Sequence, residues 1–548
     1  MKLSPSLINL MWLGLSAKGA LRHFFATFNT EKAQRRLLQR IISENSEVWY
    51  GSEYGFNRIN SYEEFAERVP IASYSHFEPL IQRIARGEKS VLSRDVPVCF
   101  EPTSGSTSAG KLIPYTPELQ REFQKGIDPW ISNMFRHNLR LLTGRAYWSI
   151  SPAMSSPGKI SGGIPVGFES DLSYLHPFVG RYYSRCMAVP TSVGELVQRN
   201  VFRYCTAAFL LAADDLRFVS VWNPTFLLLI LSAVEEKWEE IVADMQSGIL
   251  TLPDGVPGKL AEDLQRKWSK NAGRASVLKS VFSREKRNGY QDVWSHLKVI
   301  SCWADGASRG AFRELSLLFP GTKLIPKGLL ATEGIVSIPL EPHSTSVLAL
   351  TSHFFEFVSE SGRVFPSWKL KTGERYSVLL TTGGGLYRYR LGDTVEVTGF
   401  ARSCPLLRFT GRLNVSDLYG EKLHESHIEE IVKKLFPDKL PFVFLAPAAP
   451  KADHYTLYIS EIDQDISAVE NSVERGLRAN VHYDYCRRLG QLNRVEICVL
   501  PMSSAEAHRS YLEVCAARGI KTGDVKPSFL ERKWNWFERL TGKSESVT

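Results

Sequence analysis

The sequence predicts an α/β protein with a large, multi-sheet N-terminal unit and a smaller α+β unit behind it. Three observations carry that expectation. The chain has 548 residues, 43% hydrophobic and 23% charged, enough for more than one core in an ordinary globular protein. Short β-branched or aromatic runs bounded by Gly and Pro alternate with helical stretches through most of its length. After LLRFTGRLN the texture changes to a compact set of strand and helix patterns, so the boundary is set at 1–412 and 413–548.

The N-terminal elements come first. LINLMWLGL is apolar, but Asn9 and Lys18 interrupt the stretch, and it falls short of the ~20 apolar residues a membrane helix needs. It lacks a basic leader and an A-x-A cleavage site. It reads as a helix packed on the body, with a membrane-surface or partner-binding helix as the alternative; no integral membrane segment is expected. TEKAQRRLLQRIISEN places Leu37, Leu38, Ile41 and Ile42 at helical spacing with Arg35, Arg36 and Arg40 outside. SYEEFAERVP opens on Ser61 as a cap and stops before Pro70, and HFEPLIQRIARGE is a helix stopped by Gly87.

Strand-like runs follow: RAYWSIS, LKVISCWADG, TKLIPKGLLATEG, SVLALTSHFFEFV, RYSVLLTT and TVEVTGF, with helices over Trp222–Met245 and Ala311–Phe319. Beyond the boundary, HESHIEEIVKKLF and ISAVENSVERGLRAN read as helices, and FVFLAPAA, HYTLYISEI and RVEICVLP as strands.

Charge and cysteines narrow the function classes. Lys+Arg exceed Asp+Glu by nine (67 against 58), but the excess is spread thinly with no basic block. That argues against a nucleic-acid partner. The eight cysteines are scattered with no C-x-x-C pair, as expected of buried thiols in a reducing, cytoplasmic setting.

Five segments can carry chemistry. EPTSGSTSAGKLIPYTP offers the hydroxyls of Ser104, Ser106, Thr107 and Ser108, backbone freedom at Gly105 and Gly110, and the charge of Lys111. It is not a P-loop, and alone a hydroxyl/Gly loop of this kind is more often a plain loop than a phosphate grip. LLATEGIVSIP ends an apolar strand in Thr332-Glu333-Gly334, where a carboxylate can hold Mg²⁺ beside phosphates or be merely solvated. In LYRYRLGDTVEVTGF, Asp393 follows a glycine at a turn and can accept two hydrogen bonds from a ribose diol. Tyr387 and Tyr389 alternate there with Arg388 and Arg390, so one pair is expected to face inward. In RFTGRLNVSDLYGEKLHESHIEE, Arg412 to Asn414 is a hinge candidate, and His424 and His427 sit three apart on a helix without a third metal ligand in view. GIKTGDVKPSFL puts Lys521 and Lys526 in a late loop.

The order of these parts is more specific than any one of them. An S-G-[ST]-T…K loop, T-E-G after a strand, Y-R-x-G-D, G-R before a small α+β unit and a late loop lysine together resemble the adenylate-forming superfamily, which includes acyl-CoA synthetases and luciferase. Nearly end to end, the chain is similar to the auxin-responsive-promoter family of acyl acid amido synthetases. VPIASYSHFEPLIQRIARGEKSVLS leading into FEPTSGSTSAGKLIP, YRYRLGD, RFTGRLNVSDLYGEKLHESHIEEIV and VKPSF carry that likeness. It departs from the pattern where LLATEG lacks the aromatic residue that usually precedes the small-residue–Glu pair, and where KPSF lacks the arginine that often follows Lys-Pro.

The resemblance implies an N-terminal adenylation domain and a mobile C-terminal domain. It implies an AMP-forming carbon–nitrogen ligase using ATP and Mg²⁺, which makes an acyl-adenylate from a small carboxylic acid and passes the acyl group to an amine, in this family an amino acid. Under it, Ser104, Gly105, Ser106, Thr107 and Lys111 grip the pyrophosphate, Thr332 reaches the α-phosphate, and Glu333 holds the metal. Asp393, supported by Arg412, fixes the ribose, and Lys526 arrives as the C-terminal domain of a monomer closes. The acyl pocket is expected between the Pro152–Gly167 loop and the helix after Trp222. Two alternatives stand beside this: adenylation followed by thioester formation on coenzyme A or a carrier, and a non-catalytic binding or membrane-associated protein that keeps the fold.

Overall fold

The computed structural model describes residues 4–102, 111–148, 163–167, 182–196, 198–252, 255–305, 308–412, 415–416, 418–419, 421, 423–448, 453–462, 464–488, 491–517, 525, 527–533 and 535–542. The N-terminal helices form as their periodicity predicts. Pro5–Ala26 is capped by Ser4 and inserts Ile8 and Trp12 into the core. Thr30–Glu44 is capped by Asn29, whose side chain accepts the Lys32 N–H at 2.9 Å, and it buries Leu38, Ile41 and Ile42. Tyr62–Arg68 starts at Ser61, which accepts the Glu64 N–H at 3.1 Å.

Two sheets organise the body. Four parallel strands, Arg145–Trp148, Leu216–Ser220, Val299–Cys302 and Lys323–Pro326, pair in sequence order, with the helices Arg199–Ala212 and Pro224–Ser247 among their crossovers. Their buried residues belong to the largest core, which reaches from Ile8 to Ala349. A seven-stranded antiparallel sheet follows, in the order Val364–Pro366, Phe354–Ser359, Arg375–Thr381, Tyr389–Ala401, Cys404–Arg412, Ser346–Leu348 and Ser337–Ile338. The C-terminal residues build a separate three-stranded sheet of Val443–Pro447, Tyr455–Ile459 and Glu496–Val499. One of its two cores, around Leu445 and Leu457, packs the helices Glu425–Leu435 and Ile466–Arg478; the other, around Phe444 and Tyr458, packs Ser504–Ala517 and Trp536–Thr541.

The expected alternation in YRYR is not what forms. Tyr387, Arg388 and Tyr389 are all buried and only Arg390 is exposed. Arg388 has a positive φ of 43°, which breaks the period-two pattern before the strand begins at Tyr389. Its guanidinium is held on every side: both oxygens of Glu356 accept from it at 2.9 Å, and the carbonyls of Ala66 and Val69 accept at 2.7 and 2.8 Å. Burial pushes the Glu356 carboxyl up, and the Arg388 charge opposes that shift.

This pair joins the antiparallel sheet to the N-terminal helices. Arg388→Met strands a buried carboxylate, and its expected cost is about 3–5 kcal/mol. Guanidinium unfolding of Arg388→Met, Glu356→Gln and the double variant checks it. The double variant should lose clearly less than the two single losses added together.

Candidate functional site

Leu330–Ala331 and Gly334–Ile335 form a small hairpin whose turn is Thr332-Glu333. Thr332 is half-buried and Glu333 is buried. The Tyr389 hydroxyl donates to Glu333 Oε1 at 3.0 Å. Tyr389 is placed by its backbone. The Arg390 N–H donates to the Ala72 carbonyl at 2.8 Å, and the Ala72 N–H donates to the Arg388 carbonyl at 3.2 Å.

Asp393, on the same strand, is 1% exposed and pairs in backbone register with Arg412. Lys111 follows the loop and lies over the Tyr74 ring, 5.6 Å from its centroid. The Tyr74 hydroxyl accepts the Leu112 N–H at 2.9 Å, which pins the exit of that loop.

The electrostatics bind these groups into one site. Burial raises the Glu333 carboxyl above its ordinary range, and the neighbouring Asp393 charge raises it further. The Glu333 backbone amide, the Tyr389 hydroxyl and the Lys111 ammonium oppose the shift. Glu333 is thus a buried carboxyl whose charged form is favoured by its own backbone amide, Tyr389 and Lys111 and disfavoured by burial and Asp393.

Beneath the hairpin lies a buried pair. His353 and Glu122 have no exposed side-chain surface, and His353 Nδ1 stands 3.0 Å from Glu122 Oε2. His353 Nε2 accepts the Ile335 N–H at 3.1 Å, so the ring carries its proton on Nδ1 and donates it to Glu122. Glu122 also accepts the Gly383 N–H, at 3.0 and 3.1 Å, and lies 3.7 Å from Arg40. A side chain at Gly334 would meet His353 Nε2 at 2.7 Å, so only glycine fits there.

A second feature lies at the C-terminal ends of the parallel strands, where open α/β sheets bind ligands. Lys327 is 6% exposed. Its Nζ donates to Ser220 Oγ at 2.8 Å and lies 4.4, 5.1 and 5.6 Å from the ring centroids of Trp222, Trp130 and Trp148. Beside it, Asn223 caps the helix Pro224–Ser247 through the Thr225 N–H at 3.0 Å and donates to the Val525 carbonyl at 2.8 Å. Val525, in the C-terminal segment, is therefore held at this edge through its carbonyl.

Lys111, the Thr332-Glu333 turn and Asp393 come from separate segments, and Lys111 and Asp393 are near enough to act on the Glu333 charge. Ser104, Gly105, Ser106, Thr107 and Lys526 fall outside the described residues, as does most of the Pro152–Gly167 loop. Arg412 is the last residue of its strand, and Asn414 is outside the described residues. Asp393 is not at a turn: it sits inside the strand Tyr389–Ala401, after Gly392 with φ 85°, because the partner strand pairs with the chain on both sides of that glycine. His424 precedes its helix as the N-terminal cap position, while His427 Nε2 pairs with the Gly476 carbonyl at 2.9 Å.

Three features were missed from sequence. Tyr389 had a visible cue in YRYR. Glu122 and His353, 231 residues apart, had none. Lys327 was hidden within an apolar run.

Comparison with known proteins bears on the family and the fold. A model of the GH3 family N-terminal domain matches residues 23–324, and one of the GH3 family central domain matches residues 346–412. Indole-3-acetic acid-amido synthetase GH3.10 of Arabidopsis thaliana is 26% identical over 529 residues, covering 86% of this chain and 88% of its own. Jasmonoyl–L-amino acid synthetase JAR6 of Nicotiana attenuata is 25% identical over 465 residues, covering 79% of each. Among solved structures, an AtGH3.15 acyl acid amido synthetase in complex with 2,4-DB matches with a TM-score of 0.81 at 20% identity, over 99% of this chain and 97% of that one. A 2-hydroxyisobutyryl-CoA ligase in the postadenylation state matches at 0.53 and 12% identity, over 92% and 91%. At these identities the structural likeness is one of fold.

The buried pair yields a stability test. His353→Leu leaves the Glu122 carboxylate and the Ile335 N–H without their partner, at an expected cost of about 3–5 kcal/mol. His353→Gln carries one donor and one acceptor and should recover part of that loss. Urea unfolding of both variants measures the difference.

Proposed function

The chain belongs to the GH3 family, and on that premise we propose that it joins a small carboxylic acid to an amino acid through an acyl-adenylate. It is an ATP-dependent ligase of the acyl acid amido synthetase type. The observation that carries the site assignment is the 3.0 Å hydrogen bond from Tyr389 to Glu333, which brings the TEG turn and the strand holding Asp393 to one place.

In the first step an oxygen of the acid attacks the α-phosphate of ATP. A new phosphorus–oxygen bond forms as the bond to pyrophosphate breaks. In the second step the amine attacks the acyl carbonyl, AMP leaves, and the amine proton passes to solvent. Both steps need charge on the phosphates offset and the reacting groups held in line.

Asp393 fixes the ribose diol, with Arg412 alongside. Thr332 reaches the α-phosphate. Lys111, with Ser104, Gly105, Ser106 and Thr107, grips the departing pyrophosphate, and Lys526 offsets charge during adenylation. The Trp130, Trp148 and Trp222 edge with Lys327 walls the acid site.

Mg²⁺ fits the donor set: a buried carboxylate of raised pKa beside a second acid, with the phosphates as further oxygen ligands. Among the described residues no group of three or more His, Cys, Asp or Glu that could hold a metal ion forms. Bound there, the ion would offset charge on the phosphate oxygens, and Glu333 would hold it.

The separate cores behind residue 412 support a C-terminal domain, 413–548, that moves between the two steps. The eight scattered cysteines, with no C-x-x-C pair in the sequence, suit a reducing cytoplasm.

Asp393→Ala should lower acid-dependent ATP–pyrophosphate exchange about 100-fold, the scale of a misplaced nucleotide. Exchange at the wild-type rate would show the nucleotide assignment to be wrong. A matrix of carboxylic acids against amino acids, scored for pyrophosphate release, identifies the pair. AMP release should speed up with the right amino acid and not with coenzyme A.

The raised Glu333 carboxyl sets a pH dependence. Protons and Mg²⁺ compete for it, so the ionised form is lost as pH falls through a window above the ordinary carboxylate range. The Mg²⁺ needed for half-maximal exchange should be flat above that window and rise about tenfold per pH unit below it. A Mg²⁺ requirement unchanged from about pH 8 to about pH 5 removes Glu333 from the metal site.

A further inference from the structure

The N-terminal helix Pro5–Ala26 turns its polar residues inward. Asn9, Ser16 and His23 are buried on the packed face with Ile8, Trp12 and Gly19. Asn9 Nδ2 donates to the carbonyls of Leu141 and Gly144 at 3.2 and 3.1 Å, and His23 Nε2 meets the Leu348 carbonyl at 3.0 Å. The solvent face is the apolar one. Leu7, Leu10, Leu21 and Phe25, with Phe28 just beyond the helix, are 39%, 55%, 56%, 66% and 58% exposed. At 100° per residue the four helical positions form one stripe directly opposite the packed face. An apolar helix face is normally packed against another surface, and exposed apolar residues gathered in one stripe mark a contact site.

The charges around the stripe indicate what covers it. Lys18 and Arg22 are exposed along one border, with Leu15 at 52% beside them. Arg402 lies over Phe24 and Phe28 at the far end, 4.4 and 4.6 Å from their ring centroids. From Ser4 to Thr30 the sequence has no Asp or Glu. The nearby acids are accounted for: Asp128 lies under Gly19 within range of the Arg22 charge, and Glu31 accepts from Arg35 at 2.9 Å. In a two-fold pairing of this face, every charge the helix brings is positive on both copies, which disfavours a second copy as occupant.

We propose that this helix seats the enzyme on an anionic phospholipid surface. The Leu and Phe side chains enter the acyl boundary, and Lys18, Arg22 and Arg402 meet the headgroups. The helix lies in the plane of the surface; among the described residues no helix is long and apolar enough to cross a membrane. The site of catalysis is untouched, so this is a peripheral attachment added to the ligase.

The test is co-sedimentation of the full chain with vesicles of phosphatidylcholine alone and with about one-third phosphatidylserine. Binding should appear with the anionic vesicles and weaken with added salt. Leu21→Glu/Phe25→Glu should lower binding at least about tenfold, and Lys18→Glu/Arg22→Glu should remove the preference for anionic vesicles. Both variants alter exposed positions, and ATP–pyrophosphate exchange at the wild-type rate confirms that they fold. No binding to either vesicle overturns the proposal. So does a concentration-dependent dimer in sedimentation equilibrium that Leu21→Glu/Phe25→Glu abolishes, since it assigns the stripe to a second copy.

Discussion

Glu122 is a carboxylate without exposed side-chain surface, and much of the candidate site hangs on how it is satisfied. From the helix Pro117–His137 it takes the His353 proton and the Gly383 N–H, with Arg40 at 3.7 Å. His353 in turn accepts the Ile335 N–H, which sets the hairpin carrying Thr332 and Glu333. Gly383 lies in the connection that leads to Tyr389, which donates to Glu333. One buried group thus positions both the Thr332-Glu333 turn and the strand entry at Tyr389 from behind. Burying it is tolerable only because its hydrogen bonds are made.

The same logic governs Arg388. A guanidinium inside a core needs acceptors, and Glu356, Ala66 and Val69 supply them. Fixing Arg388 at positive φ sets the entry to the strand, and the strand then carries Tyr389 and Asp393 at defined spacing. The backbone exchange with Ala72 stitches this entry to the chain just before the helix Tyr74–Ala85. Tyr74, the first residue of that helix, pins Leu112 and faces Lys111. The loop exit, the strand and the turn are therefore parts of one connected framework rather than three independent motifs.

The aromatic edge of the parallel sheet is organised by a cation in place of an anion. Lys327 gathers Trp130, Trp148 and Trp222 about its ammonium, and Ser220 takes a hydrogen bond from it. These residues come from a helix, two strand ends and a crossover, and they meet because parallel strands align their C-terminal ends. Asn223 ties that edge to the C-terminal segment through the Val525 carbonyl.

Elements whose signal is local were legible in the sequence. The helix Thr30–Glu44, the Ser61 cap and three of the four parallel strands follow from periodicity, capping and turn chemistry, which act over a few residues; Leu216–Ser220 is the strand the sequence reading did not single out. The order of the motifs carried the family. Three things needed the tertiary structure: the burial of Arg388, the strand position of Asp393, and the joining of Glu122 to His353 across 231 residues. None has a short-range signature, because the energy that decides each is the cost of leaving a buried polar group unpaired. That cost exists only once the distant partner is in place.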